Sequence, residues 1–296
     1  MIQKVIYALG FFDGVHLGHA ALLMACRSLA QKHNCRAGVV TFSGHPDGLV
    51  LGKAPGLINT EQDRELLLRQ HYGMEEVVTI PFDRHLMSMP WDRFAALLLE
   101  KYNAGGFVCG HDFRFGQGGT GNGEKLTEFC RLHRIPCAVV QEQTVDGVTV
   151  SSTYIRSLLE EGNVERANRF LGHPHILTGT VVPGKQLGRT IGIPTANLLL
   201  PSGLLVPKFG VYACSVTIDG IRYAAVTNIG TRPTVSGEGI TVEAWILDFS
   251  GDLYGRTLTL SFHDFLRPEV KFPNLEALQA EIQKNAVKVR EIFEKT

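Results

Sequence analysis

The chain has 296 residues, 44 % of them apolar and 20 % charged, with 29 Lys plus Arg against 29 Asp plus Glu. A length of this order suggests two domains and lets a folded chain bury about 70–75 % of its surface, so no disulfide or metal staple is required. Zero formal net charge argues against a partner held by long-range attraction, such as bulk nucleic acid or an anionic membrane, and leaves local basic pockets open.

From the N-terminus, "KVIYALG" reads as a short apolar strand and "HAALLMACRSLAQKH" as a helix with Leu22, Cys26 and Leu29 on one stripe. The apolar "VIYALGFF" is too short for a signal segment or a membrane span, so a cytoplasmic protein is expected. "AGVVTF" is the second strand, and Thr60 to Asp63 resembles a capping box opening "ELLLRQHYG", which Gly73 ends. "EEVVTIPF" is a third strand. "PWDRFAALLLEKYNAGG" has proline at its head and glycine at its tail, as helices do. "GFVCG" is a fourth strand, "GEKLTEFCRLHR" a helix and "IPCAVVQE" extended. Strand–helix alternation up to about residue 172 predicts a parallel sheet with helices on both faces, where ligands bind at the strands' carboxyl ends. The cysteines, at 26, 35, 109, 130, 137 and 214, form no C-x-x-C pair and mostly lie in apolar runs, consistent with a reducing compartment.

After Pro174 the pattern turns to β. "HILTGTVV", "GVYACSVTI", "IRYAAVTNIG", "TVEAWILDF" and "TLTLSFHDF" are β-branched or aromatic runs, two of them joined by a type I′ turn signal at Asp219-Gly220. A closed barrel or sandwich is expected. A last helix, with Leu275, Leu278, Ile282, Val289 and Ile292 at helical spacing, is expected on its outside. The expected domains are 1–172 and 173–296.

"GFFDGVHLGH" places His16 and His19 just past the first strand. Free N–H groups at a helix start attract anions, two imidazoles add donors, and the glycine between them lets a nucleotide approach. A pair of exposed histidines at a helix start fits the same residues. "TFSGHP" puts His45 at the end of the second strand, as a site residue or a turn histidine. "GHDFRFGQGGTGNG" concentrates five glycines in residues 116–123, as a mobile phosphate-covering loop or a disordered connector. "SSTYIR" offers Ser151, Ser152, Thr153 and Arg156 at a helix start, as ligands or as plain caps.

These four segments in this order, with "EEGNVERANRFLGHPH", resemble the adenylyltransferase module of the prokaryotic bifunctional riboflavin kinase/FMN adenylyltransferases, a Rossmann-like nucleotidylyltransferase fold. The resemblance implies that His16 and His19 bind ATP phosphates and act in catalysis. Gly10, Phe12, Asp13, Gly14, Gly18, Asp112, Ser152, Thr153 and Arg156 would complete the ATP site, and His45, Pro46 and Phe113 would meet FMN. The implied chemistry is attack of the FMN phosphate on the α-phosphorus of ATP, with pyrophosphate leaving and Mg²⁺ assisting. The chain departs from the family at Gly44, where proline is usual, and at Tyr154, where arginine is common; the second change would weaken the grip on phosphate.

In the second half, Gly179 to Lys185 satisfies G-x-x-x-x-G-K, but Gln186 stands where the Mg²⁺-binding hydroxyl should be, which excludes a P-loop. In "PTAN", Thr195 and Asn197 point the same way if the segment is extended, and their oxygens suit a hard cation beside phosphates; a turn after Pro194 is the other reading. Glu243 lies in a strand, where a solvent-facing carboxylate is unremarkable. "GRTIGIPTAN", "GVYA", "VTNIGTRPTV", "VEAWILDF", "DLYG" and "FLRPEVKF" resemble the riboflavin kinase module of the same family, a barrel with a C-terminal helix. That resemblance implies Mg²⁺ and ATP phosphates on Thr195 and Asn197, Glu243 as the base for riboflavin's 5′-hydroxyl, and Gly184, Gly188, Arg189 and Gly192 around the nucleotide. Arg267 and Glu269 would lie at the flavin, and Asn285 replaces a frequent aspartate with little expected consequence.

The implied function is phosphorylation of riboflavin to FMN followed by adenylylation of FMN to FAD, with small-molecule partners and neither nucleic acid nor membrane. The alternatives are a kinase with an impaired adenylyltransferase domain, motivated by Gly44 and Tyr154, and a flavin- or nucleotide-binding regulator without turnover, which Glu243 opposes. The absence of an anticodon-binding region and of positive charge excludes a tRNA-charging enzyme.

Overall fold

A computed structural model describes residues 3–294 except 46–47, 50–51, 53, 185–187, 189–191 and 235–236. Chain contacts divide it into two compact units, 1–152 and 153–296.

The first unit is a five-stranded sheet of order β3-β2-β1-β4-β5, built from β1 (Val5–Leu9), β2 (Arg36–Ser43), β3 (Glu76–Pro81), β4 (Ala104–Gly110) and β5 (Cys137–Val140). Every pairing is parallel. The connections are α1 (Leu17–Lys32), α2 (Glu61–Leu66, prolonged by a π-helical turn), α3 (Arg84–Ser88), α4 (Trp91–Lys101) and α5 (Gly123–His133). β1 is buried along its whole length and β4 likewise, as central strands covered on both faces must be.

Three details differ from the sequence expectation. The buried stripe of α1 is Ala20, Leu23, Cys26 and Ala30, while Leu22 and Leu29 are only half-buried. Gly105 and Gly106 do not cap α4; they belong to β4, where a Cβ at Gly106 would stand 2.5 Å from the Pro136 carbonyl oxygen. Asn103, with φ of 53°, makes the turn instead. A small hairpin, β6 (Thr144–Val145) and β7 (Val148–Thr149), turns on Asp146 and Gly147, both at positive φ; the Asp-Gly pair is the same I′ signal read at 219–220.

The glycine-rich stretch 116–123 is an ordered, hydrogen-bonded turn rather than a disordered connector. Phe115 and Gly121 exchange backbone hydrogen bonds of 3.2 and 2.8 Å around a short 3₁₀ turn, and the Gln117 N–H donates to the Met89 carbonyl at 2.7 Å. A Cβ at Gly116 would lie 2.5 Å from the Trp91 Cα, and one at Gly121 2.8 Å from its Cβ. The glycines therefore permit close packing on Trp91. Gly118 has φ of +60° but open space around it. Gly118→Ala should thus cost only the left-handed backbone strain, about 1–2 kcal/mol. Gly116→Ala, strained and clashing with backbone, should cost at least twice as much in urea unfolding followed by Trp91 fluorescence in a Trp245→Phe background.

The second unit opens with α6 (Ser152–Glu161), whose first residue falls in the first unit, and α7 (Val164–Leu171). A closed barrel follows, in the order β10-β11-β12-β9-β8-β13, formed by β8 (His175–Val182), β9 (Ala196–Leu199), β10 (Gly210–Ile218), β11 (Ile221–Thr234), β12 (Gly237–Ile246) and β13 (Thr257–Arg267). Asp219 and Gly220 take the positive φ angles that a I′ turn demands, 51° and 82°. The final helix, α8 (Leu275–Glu294), packs on the barrel through Ala286, Val289, Ile292 and Phe293 against Val211, Ala213, Val226 and Trp245. Leu275 is exposed instead. Asn285 is buried and its amide donates to the Glu281 carbonyl, a bond that a carboxylate could not make.

α7 is fastened to the barrel by Asn168, whose amide donates to the Phe262 carbonyl at 2.8 Å and whose oxygen accepts the His175 N–H at 2.7 Å. His175 itself is fully buried, both ring nitrogens lacking a partner, and burial, with His173 beside it, pulls its pKa from 6.5 down to about 3. Below pH 6.5 the unfolded chain therefore binds a proton that the fold refuses, so stability falls as pH falls until about pH 3. Between pH 6 and pH 4 the second unit should lose stability faster than a His175→Leu variant, by up to about 1.4 kcal/mol per pH unit. Urea unfolding followed by Trp245 fluorescence in a Trp91→Phe background measures it.

Candidate active sites

In the first unit, a cavity of about 960 Å³ opens at the carboxyl ends of β1, β4 and β5, where ligands bind in parallel sheets. Gly10, His16, Gly18 and His19 line one side, Asp112 and Phe113 another, and Ser152 its edge.

His16 is the N-cap of α1. Its Nδ1 accepts the His19 N–H at 3.3 Å, which satisfies one of the open donors of the helix start. A neutral His16 that accepts at Nδ1 carries its proton on Nε2, so Nε2 is a donor. The two imidazoles stack at 3.6 Å with 13° between their planes. Burial, then His16, then Arg64 hold the His19 pKa well below its ordinary value. His19 Nδ1 is buried and has no hydrogen-bond partner, a state that costs free energy until a ligand supplies one. A Cβ at Gly18 would stand 3.1 Å from the His16 ring; glycine there makes room for the imidazole as well as for a ligand. His16 is buried and His19 half-buried, both at the cavity wall, and the reading of them as exposed helix-start residues is set aside.

Other predicted residues are not among those that line the cavity. Phe12 is fully buried with φ of 59°, its ring lying 3.1 Å from where a Gly10 Cβ would be. The buried Asp13 carboxylate accepts the N–H groups of Ile58 and Asn59 at 2.9 and 3.3 Å, and its carbonyl accepts the Ser152 hydroxyl at 2.9 Å. Gly14, with φ of 80°, carries the turn between them. His45 meets the Phe11 ring edge-on at 4.8 Å rather than lining the cavity. Thr153 and Arg156 continue α6 in the second unit, and Pro46 lies outside the described residues. Gly44 has φ of +74°, unreachable for the proline usual in the family, and its N–H donates to Glu61. The Tyr154 ring packs on Phe170 at 4.9 Å, with the Arg166 guanidinium over it. The sequence reading missed Phe11, Phe42 and Phe115, which line the cavity.

In the barrel, Asn197 on β9 faces Glu243 on β12, and Glu243 faces Asn228 on β11. Directly opposed residues share a face, so three polar side chains form a row across three strands. Asn228, which the sequence reading also missed, donates from Nδ2 to Glu269 Oε1 at 3.2 Å. A Cβ at Gly230 would lie 2.1 Å from that oxygen, and one at Gly184 would lie 2.4 Å from Asn197 Nδ2. Gly188 accepts the Ile193 N–H at 2.7 Å, and Gly192, with φ of +72°, faces open space. Arg189 lies outside the described residues. Arg267 pairs with Glu281 on α8 at 3.4 Å and stands over Phe272 at 5.5 Å.

The FAD synthetase family model matches residues 2–154 and the riboflavin kinase model residues 171–293. The chain is 32 % identical over 299 aligned residues to the bifunctional riboflavin kinase/FMN adenylyltransferase of Listeria monocytogenes, covering 99 % of this chain and 94 % of that one. It is 36 % identical over 294 residues to the protein so named in Escherichia coli K12, covering 98 % and 93 %. Among solved structures, one named macrolide-efflux protein from Streptococcus pneumoniae superposes with a TM-score of 0.87 at 30 % identity, covering 98 % of this chain and 95 % of that one. Among the described residues of this chain no helix is long and apolar enough to cross a membrane.

Proposed function

The chain belongs to the bifunctional riboflavin kinase/FMN adenylyltransferase family, and from that premise we propose which of its residues carry each activity. It is a transferase that phosphorylates riboflavin to FMN and adenylylates FMN to FAD, with ATP as donor in both steps.

Adenylyl transfer is assigned to the cavity of the first unit. An FMN phosphate oxygen attacks the α-phosphorus of ATP and pyrophosphate departs, so no protein nucleophile is needed and catalysis consists of positioning and charge stabilisation. His16 Nε2–H and the His19 ring are the donors to the phosphates. Gly10 and Gly18 let the nucleotide approach the backbone. Asp112 and Ser152 line the nucleotide's side, and Thr153 and Arg156, at the start of α6, are assigned to ATP on the family resemblance alone. Phe113 and the His45–Phe11 pair are assigned to the flavin. The functional boundary is placed at 172/173, because α6 carries Thr153 and Arg156. The observation that carries the assignment is the stacked His16–His19 pair in the cavity wall, with His19 Nδ1 lacking a partner.

Phosphoryl transfer is assigned to the polar row of the barrel. Glu243 takes the proton of the 5′-hydroxyl as that oxygen attacks the γ-phosphorus and ADP leaves. Gly184 and Gly192 flank the nucleotide, and Arg267 and Glu269 the flavin. Mg²⁺ fits here: the hydroxyl of Thr195 and the amide oxygen of Asn197 are hard donors, and glycine at 184 makes room for the Asn197 amide, which a Cβ there would meet at 2.4 Å. The ion would shield the negative charge of the phosphates. Among the described residues no three His, Cys, Asp or Glu side chains form a metal cage, and Mg²⁺ shared with substrate phosphates needs none.

Chromatography of flavins after incubation with ATP and Mg²⁺, begun once from riboflavin and once from FMN, tests the assignment of both activities. FMN and then FAD should accumulate from riboflavin, and FAD directly from FMN.

A further inference from the structure

One side chain bridges the strand ends that face the adenylyl-transfer cavity, and no motif contains it. Arg64, on α2, is 2 % exposed and, among the described residues, the bulkiest of the fully buried side chains. Its Nη1 donates to the Phe11 carbonyl at 3.0 Å and its Nη2 to the Phe42 carbonyl at 2.8 Å. Its guanidinium lies 4.7 Å from the centre of the Phe11 ring. The Thr41 hydroxyl donates to the same Phe11 carbonyl at 2.9 Å. Phe11 stands just past β1 and Phe42 near the end of β2, and both line the cavity. One planar fork therefore fixes the spacing of two strand ends and the orientation of a wall ring, which a point-like ammonium would not do.

The charge has a second consequence. Burial opposes it, while Asp13 and Glu61 favour it. The Arg64 guanidinium lies against the Phe11 ring, which lines the cavity, so the charge stands directly behind the cavity wall. A fixed cation inside the protein, poorly screened by water, interacts with a polyanion far more strongly than a surface lysine does.

We propose that Arg64 is a positioning residue for adenylyl transfer: it clamps Phe11 and Phe42 at the cavity and supplies the site with a built-in positive charge. It touches neither reacting atom. The inference rests on the assignment of adenylyl transfer to this cavity; if the unaltered chain makes no FAD from supplied FMN, that assignment fails, whatever Arg64 does.

Two substitutions separate charge from packing. Arg64→Lys keeps the charge and loses the fork; Arg64→Met keeps bulk and loses both. In the full chain, FMN-to-FAD kinetics are measured with riboflavin phosphorylation in the same sample as internal standard. Amide hydrogen exchange in β1 and β4 reports the fold of the first unit. Arg64→Met should lower kcat/KM for ATP by about a hundredfold, the scale of one preorganised electrostatic contact. Arg64→Lys should lower it by about tenfold or less, with riboflavin phosphorylation within about twofold in both. A folded Arg64→Met chain within threefold of the parent overturns the proposal, and so does an Arg64→Lys chain as poor as Arg64→Met. Should Arg64→Met not fold, Phe11→Ala decides. Loss of the clamped ring should raise KM for FMN at least fivefold and leave KM for ATP within twofold, and an unchanged KM for FMN overturns the proposal.

Discussion

Replacing His19 by alanine is expected to lower FAD formation from FMN by about a thousandfold, the upper end for losing one preorganised donor to a transition state, while riboflavin is still phosphorylated at nearly the parent rate. The size of the effect follows from the ring's position. His19 lines the cavity, its Nδ1 is buried without a partner, and its ring stacks on His16. A buried polar atom left unpaired costs about 1–3 kcal/mol, a cost that a hydrogen bond to a bound phosphate would offset. Alanine also removes the ring against which His16 stacks, so the donor on His16 Nε2 loses its fixed orientation. Flavin chromatography from the two starting substrates reads both effects. An equal loss of both activities would mean that the two reactions share one site.

Glu243→Ala is the mirror case. Phosphorylation of riboflavin should fall by about a hundredfold to ten-thousandfold, the usual worth of a positioned general base, and supplied FMN should still become FAD. Asn197, directly opposite Glu243 across the β9–β12 pairing, should give the same pattern when changed to alanine. The two variants should differ in their response to metal: Asn197→Ala should raise the Mg²⁺ concentration needed for half-maximal rate, and Glu243→Ala should leave it nearly unchanged. A Glu243→Ala chain that phosphorylates riboflavin at the parent rate removes the carboxylate from the mechanism.

How much of this was legible in the sequence depended on whether a feature is local. The alternation of strands and helices, the Asp219-Gly220 turn and the H-x-G-H at the end of β1 are local patterns, and each lies where its pattern predicts. β9 is not legible in the sequence because four residues following a proline carry too little periodicity; its partner strands, not its own sequence, make it a strand. Phe11 and Phe12 are adjacent and chemically alike. Which one faces the cavity is decided by the positive φ at Phe12, a backbone property that composition does not encode. Arg64 lies among charged residues in "EQDREL" and reads as a solvent-facing helical arginine; tertiary packing alone buries it. Asn228 sits in a recognisable strand, but its place beside Glu243 is a matter of register, which a single strand cannot specify. The glycine cluster at 116–123 shows the limit of composition. The same residues suit a loose cover or a tightly packed hairpin, and the difference is the Trp91 backbone pressed against them.

On the assignment proposed above, two separate sites act in sequence, the barrel making the FMN that the cavity consumes. The most direct measurement mixes the His19→Ala chain with the Glu243→Ala chain and supplies riboflavin, ATP and Mg²⁺. Neither variant alone should yield appreciable FAD from riboflavin, and the mixture should, because FMN released by the first is adenylylated by the second. A mixture that stops at FMN, although the Glu243→Ala chain alone converts supplied FMN to FAD, would contradict it.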